Sequence, residues 1–161
     1  MKIINSIIFI FLLFLVTSCD KKRVFDDYKS VGKNWNKDSI VTFDLPKLDP
    51  KKAYNLYVNV RDNDEYPFNN LFLIVSLEQP NRKVQVDTLE YQMTNPDGTL
   101  LGEGFSDIKE NKLFYKDKVS FTQKGLYKIH IKHAVRQTGK IEGVDTLPGI
   151  TDVGFRIESK D

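Results

Sequence analysis

Tyr54-Asn55-Leu56-Tyr57-Val58-Asn59-Val60-Arg61 alternates without a break. Tyr54, Leu56, Val58 and Val60 fall on one side of an extended chain; Asn55, Tyr57, Asn59 and Arg61 fall on the other. Successive side chains of a strand point to opposite faces, so a period of two marks a strand with one buried and one wet face. The same period recurs on both sides of this stretch. Upstream, Val41, Phe43 and Leu45 share a face. Downstream, Leu71, Leu73, Val75 and Leu77 oppose Phe72 and Ile74, so both faces are apolar, as for a strand covered on both sides. In residues 84–93 the phase changes: Val84 and Val86 have one parity, and Leu89, Tyr91 and Met93 the other, which predicts a bulge at Asp87-Thr88. Asn95-Pro96-Asp97-Gly98 places Pro and Gly for a tight reversal. Residues 112–121 and 125–135 read as further strands, and residues 153–158 as the last. Residues 107–115 have room for a single helical turn. No segment after Cys19 sustains a period of 3.6. Short strands joined by turns, without strand–helix alternation, predict an all-β fold: one antiparallel β-sandwich of Greek-key or jelly-roll type over residues 38–161.

The first residues read differently. Lys2 supplies a charged start, Ile7 to Val16 are apolar throughout, and Val16-Thr17-Ser18-Cys19 closes the run. Ten apolar residues are too few to span a bilayer as a helix but suit the core of a signal peptide. Small residues before a cysteine match the lipobox of bacterial lipoproteins. In that reading residues 1–18 are removed and the Cys19 sulfur carries a diacylglyceryl group. Cys19 is the single cysteine of the chain, so no other thiol is left for a disulfide, a metal or catalysis. Membrane lipid, reached through acylated Cys19, is thus the first expected partner. Residues 19–37, polar and broken by Gly32, read as the lipidated terminus and a tether. The basic run Lys21-Lys22-Arg23 is largely offset by Asp20, Asp26 and Asp27 and reads as part of that solvated tether. Overall, 24 Lys and Arg stand against 22 Asp and Glu, a formal charge of +2. That balance gives no case for nucleic acid, whose binders concentrate positive charge.

Catalytic patterns are thin. His130 and His133 are three apart, so on a strand they point to opposite faces and do not share a metal. No serine sits in a Gly-x-Ser-x-Gly elbow. Asp62-Asn63-Asp64-Glu65 is rich in oxygen, but Tyr66 and Phe68 occupy later ligand positions of a calcium loop and its glycine is missing. Asp107 with Glu110, or Glu142 with Asp145, are carboxylate pairs that a glycosidase would need at a set separation. Gly102-Glu103-Gly104 lacks the third glycine of a dinucleotide site. These residues imply no cofactor, no metal and no catalytic centre. Among the aromatics, Trp35, Tyr57, Tyr66 and Phe68 are candidates for exposure, where rings stack on sugars or anchor protein contacts. The candidate partner-contact residues are Tyr66, Pro67, Phe68 and Asn69, with Trp35. A Pro with two aromatics is unfavourable to expose unless something covers it; the alternative is that this loop folds onto its own sandwich.

Several stretches together resemble one family, the gliding motility lipoprotein GldH of gliding Bacteroidetes. They include Cys19-Asp20, Arg23-Val24-Phe25-Asp26-Asp27-Tyr28, Trp35 with Lys37-Asp38-Ser39-Ile40, and residues 54–61. Tyr66-Pro67-Phe68-Asn69-Asn70-Leu71-Phe72-Leu73-Ile74, Asp87-Thr88-Leu89-Glu90-Tyr91, Pro96-Asp97-Gly98-Thr99 and Gly149-Ile150-Thr151-Asp152-Val153-Gly154-Phe155 carry it further. The resemblance implies a component of the cell-surface gliding apparatus that works with an adhesin-secretion system, without catalysis. It brings no ligand residue beyond the lipidated cysteine. The expected function is therefore a membrane-anchored envelope lipoprotein that assembles or stabilises motility and secretion proteins. A lipid-anchored glycan-binding sandwich is the alternative, favoured if Trp35 or Tyr57 forms an exposed planar patch.

Overall fold

The computed structural model describes residues 20–104, 106–136 and 139–160. Ten strands follow in order: β1 (Arg23–Ser30), β2 (Asn34–Asn36), β3 (Val41–Asp44), β4 (Tyr54–Asp62), β5 (Asn70–Glu78), β6 (Val84–Gln92), β7 (Lys109–Val119), β8 (Lys128–His133), β9 (Thr146–Pro148) and β10 (Ile150–Ser159). One four-stranded sheet runs β1-β10-β4-β7, a second runs β3-β8-β5-β6, and β2 pairs with β9 in a short ribbon. All pairings are antiparallel. With the ribbon set aside, the remaining strands in chain order lie first-eighth-third-sixth in one sheet and second-seventh-fourth-fifth in the other. That is the order of a jelly roll.

The alternation that opens the sequence builds the core directly. Leu56, Val58 and Val60 are completely buried, as are Leu71, Leu73 and Val75 of the facing sheet. Phe155 bridges the layers, with Phe43 stacked at 6.4 Å and Tyr115 edge-on at 6.4 Å. The open sides of the sandwich are closed differently. Phe25 of β1 meets Phe43 of β3 edge-on at 6.4 Å. Between β6 and β7, Asp87 accepts from the Tyr115 hydroxyl at 2.7 Å and pairs with Lys116 at 2.7 Å, while the Tyr91 hydroxyl donates to the Phe114 carbonyl at 2.7 Å.

Four expectations change. The segment read as a tether holds β1 and β2; β1 pairs with β10 from Arg23↔Glu158 to Ser30↔Asp152, because Phe25 supplies an inward ring and the strand completes the sheet edge. Residues 107–115 make no helical turn, since Lys109–Val119 is a strand matched to β4. The β5–β6 register runs unbroken from Asn70↔Gln92 to Glu78↔Val84. No bulge is needed there: Val84 and Val86 face solvent, 54% and 59% exposed, and Asp87, Leu89 and Tyr91 form the inward parity. A register shift lies instead between Leu56 and Tyr57 against β7. Finally, β5 is fully covered on one face alone; Phe72 and Ile74 are half-buried on the outside of the second sheet. The Asn95–Gly98 turn forms as expected: the Gly98 amide donates to Asn95 at 2.9 Å, and Gly98 adopts a φ of 86°.

Candidate functional site

Two regions bring functional side chains together. The first is the β4–β5 loop, residues 63–69. The Asn63 amide donates to the Gly149 carbonyl at 2.8 Å, and the Glu65 amide to the Asn63 side chain at 3.1 Å. Tyr66 folds inward and its hydroxyl donates to the Asn70 carbonyl at 2.7 Å. Burial, with Asp62 nearby, pushes this phenol above its ordinary range. Gly149 makes the approach possible: its φ is 82°, and a Cβ there would lie 2.2 Å from the Tyr66 nitrogen. Phe68 sits half-buried, edge-on to Tyr66 at 5.9 Å. Pro67 and Asn69 are exposed. An open cleft of about 810 Å³ lies beside Pro67 and Asn69, reaching Glu90, Gln92 and Arg136.

Beneath this loop sits Asp62, fully buried. Asn111 donates to one carboxylate oxygen at 2.8 Å, while the other has no partner. Burial raises the Asp62 pKa to about 7. The acidic run read from sequence is thus split: Asp62 points into the core, while Asp64 and Glu65 are exposed. Among the described residues no group of three metal-ligating side chains converges.

Trp35 departs most from expectation. It is completely buried, its indole N–H donating to the Ser39 carbonyl at 2.9 Å. Its ring meets His133 edge-on at 5.1 Å, and His133 Nε2 lies 3.0 Å from the Trp35 carbonyl, which fixes Nε2 as the protonated nitrogen. Burial lowers the His133 pKa, outweighing that bond. A large ring flanked by polar residues reads as surface, but the β2–β9 ribbon folds it under. The parity argument for the histidines matches the structure: His133 is inside, and His130 lies on the outer face, 2.9 Å from Thr42 and 3.0 Å from Glu78. Cys19 and the leader 1–18 lie outside the described residues.

The second region is the outer face of the β1-β10-β4-β7 sheet, most of which the sequence did not mark. Cross-strand partners meet there: Tyr57 opposite Phe114, Asn59 opposite Lys112, Arg61 opposite Glu110. Arg61 donates to Glu110 at 3.0 Å and lies 4.0 Å above the Tyr28 ring, whose hydroxyl donates to the same Glu110 at 2.9 Å. Tyr28 lies flat on Gly154, where a Cβ would come within 2.8 Å of the ring. Arg156 binds Asp26 at 2.8 Å, Glu158 at 2.7 Å, and Asp20. Burial favours a neutral Glu158, but donation from Lys112 at 2.6 Å and from Arg156 outweighs it and holds the carboxyl below its usual range. Lys112 also lies 4.2 Å above the Tyr57 ring. At the β7 edge of this ion-paired face Phe114 is 54% exposed, edge-on to Tyr57 at 6.1 Å. Tyr57 and Arg61 were legible as outward-facing; Phe114 was not, because it stands in the apolar run Leu113-Phe114-Tyr115, where either parity could face the core.

A family model described as GldH lipoprotein matches residues 23–157. The gliding motility lipoprotein GldH of Flavobacterium johnsoniae is 67% identical over 161 residues, 100% of each chain. A homolog from Christiangramia forsetii is 52% identical over 154 residues, 96% of this chain and 94% of that protein. Among solved structures, a family GH115 4-O-methyl-α-glucuronidase aligns with a TM-score of 0.44 and 15% identity, over 87% of this chain and 18% of its own. The infectious bursal disease virus VP2 subviral particle aligns at 0.38 and 11%, over 87% and 34%. Neither of these two enters the functional reading. Matched through nearly all of its folded part and end to end by a relative, the chain belongs to the GldH lipoprotein family.

Proposed function

We propose that this membrane-anchored lipoprotein of the cell envelope acts in gliding motility without catalysis, by docking another envelope protein on the outer face of its first sheet. Acylated Cys19 holds it at the membrane. The observation that carries the reading is Phe114, an exposed ring beside Tyr57 in a frame of paired charges. Rings fixed in a rigid surround lose little entropy on binding and are the usual anchors of protein contacts. Arg61, Lys112 and Arg156 are already satisfied by Glu110, Glu158 and Asp26, so burying the face leaves none of these three cations unpaired. The β4–β5 loop is a lesser contact, offering Pro67 and Asn69 while Tyr66 serves the fold. Burial of Trp35 removes one of the two rings a sugar platform would have used.

A photoreactive phenylalanine analogue at position 114, in gliding cells, tests this directly. The expected result is a crosslink to one component of the motility or secretion machinery that the same probe at Val84, on the other sheet, does not make. Tyr57→Ala in the probe-bearing chain should weaken the crosslink, and Phe114→Ala with Tyr57→Ala should abolish gliding at unchanged membrane levels. Normal gliding of that double variant would overturn the assignment.

A further inference from the structure

We infer that the end of the sandwich nearest residue 20 is itself a membrane-docking surface, its lysines seated on anionic phospholipid headgroups and Leu126 entering the interface. Three loops and both termini of the fold meet at this end. The Ser159 amide donates to the Lys22 carbonyl at 2.7 Å, the Lys160 amide to Ala53 at 3.2 Å, the Leu45 amide to Tyr127 at 2.9 Å, and the Gln123 side chain to Gln79 at 2.8 Å. Lys47, Lys51 and Lys52 stand exposed on the β3–β4 loop, and Arg82 and Lys83 on the β5–β6 turn. Lys124 on the β7–β8 loop, Lys21 and Lys22 before β1, and Lys160 after β10 are exposed as well. Among the described residues none of these cations is ion-paired. The acids on the same loops are Asp20, held by Arg156, and Asp49; Asp161 follows Lys160 outside the described residues. The loops at the opposite end hold more acids than bases, Asp64, Glu65, Asp97, Asp107 and Glu142 among them, against Lys33, Lys37, Arg136 and Lys140. A nearly neutral chain is thus polarised end to end.

Chain length commits the basic end to the bilayer. Cys19 and the first paired residue, Arg23, are separated by Asp20, Lys21 and Lys22, a reach of at most about 14 Å when fully extended. Arg156 also grips Asp20, leaving no slack for the domain to swing away. An apolar cleft of about 620 Å³ opens at this end, floored by Leu48, Phe121 and Tyr127, with Lys47 and Lys124 at its rim. Leu126, 49% exposed, stands at its mouth. Lysines around an apolar projection suit the boundary between headgroups and acyl chains.

The inference rests on Cys19 as the anchor, and the test scores the surface without it. The mature chain carrying Cys19→Ser is sedimented with vesicles of phosphatidylcholine alone or with phosphatidylglycerol added. Binding is expected to the anionic vesicles alone and to weaken with salt. Each cation near an anionic leaflet is worth about fivefold in partitioning, so Lys47→Gln, Lys51→Gln and Lys52→Gln together should lower it on the order of 100-fold at unchanged melting temperature. Fluorescence of a Leu126→Trp reporter, taken as the difference from the parent, should be quenched by brominated lipid. Equal partitioning to both vesicle types, full binding by the triple variant, or an unquenched reporter would each overturn the surface. Failure of the anchor would show separately, as protein from cells whose Cys19 carries no lipid by mass spectrometry.

Discussion

Single residues divide into those that hold the fold and those it displays. Asp62 is costly to keep: a carboxylate with one unpartnered oxygen, fully buried. Its folded pKa of about 7 lies above the ordinary 3.8, so its share of stability is full below pH 4 and is lost as pH rises towards 7. The difference is worth up to about 4 kcal/mol. Asp62→Asn keeps the acceptor for Asn111 and removes the charge, so its melting temperature should exceed the parent's most at and above pH 7 and least near pH 4. His133 has the opposite sign, since its pKa is depressed by burial and its contribution fades as pH falls below the unfolded value of 6.5. His133→Gln should therefore flatten the acid limb of a stability profile and leave the Asp62 limb in place. Trp35 and Phe114 form the plainest contrast. Trp35→Ala should cost about 3–5 kcal/mol in denaturant unfolding, the range for a buried aromatic, while Phe114→Ala should cost less than about 1 kcal/mol.

Among the elements, β4 was fully legible, because a period of two over eight residues leaves one choice of inward face; β5 was legible as a strand, but the apolar Phe72 and Ile74 hid that one face alone is fully covered. β10 was legible in type but short at both ends. β1 was not: its pattern is polar, since Asp26 and Tyr28 face a charged network and Phe25 alone gives a clear inward signal. The inner contact of an edge strand is too sparse to show as alternation. The β2–β9 ribbon was hidden for a related reason, its pairing resting on three residues from each of two distant segments. Of the candidate site, Tyr57 and the exposed Pro67 and Asn69 could be read, whereas Phe114 and Arg156 depend on cross-strand neighbours that no local pattern encodes. The structural role of β1 has its own test. A chain starting after Ser30 loses the edge strand and exposes the ladder of β10, and should aggregate or fail to give a cooperative melt, whereas a disposable tether could be removed without change.

At the scale of the whole molecule, a jelly roll is held upright by its termini. Both meet at the basic end, while the outer sheet face looks sideways and the acidic loops point away. Cys19→Ala in cells should block lipidation and either strand the unprocessed precursor or leave an unlipidated form that high salt releases from the membrane fraction, read by fractionation of processed and unprocessed forms, without altering the fold of the domain. The pairing of β1 with β10 has a mechanical consequence. β1 starts beside the anchor and runs lengthwise along β10 from Arg23↔Glu158 to Ser30↔Asp152. When the membrane pulls on Cys19 and a partner holds the face of β4 and β7, the load shears β1 along its neighbour. The hydrogen bonds of the ladder then bear the force side by side, where a peeled strand would surrender them singly. The first strand is a rivet as much as an edge.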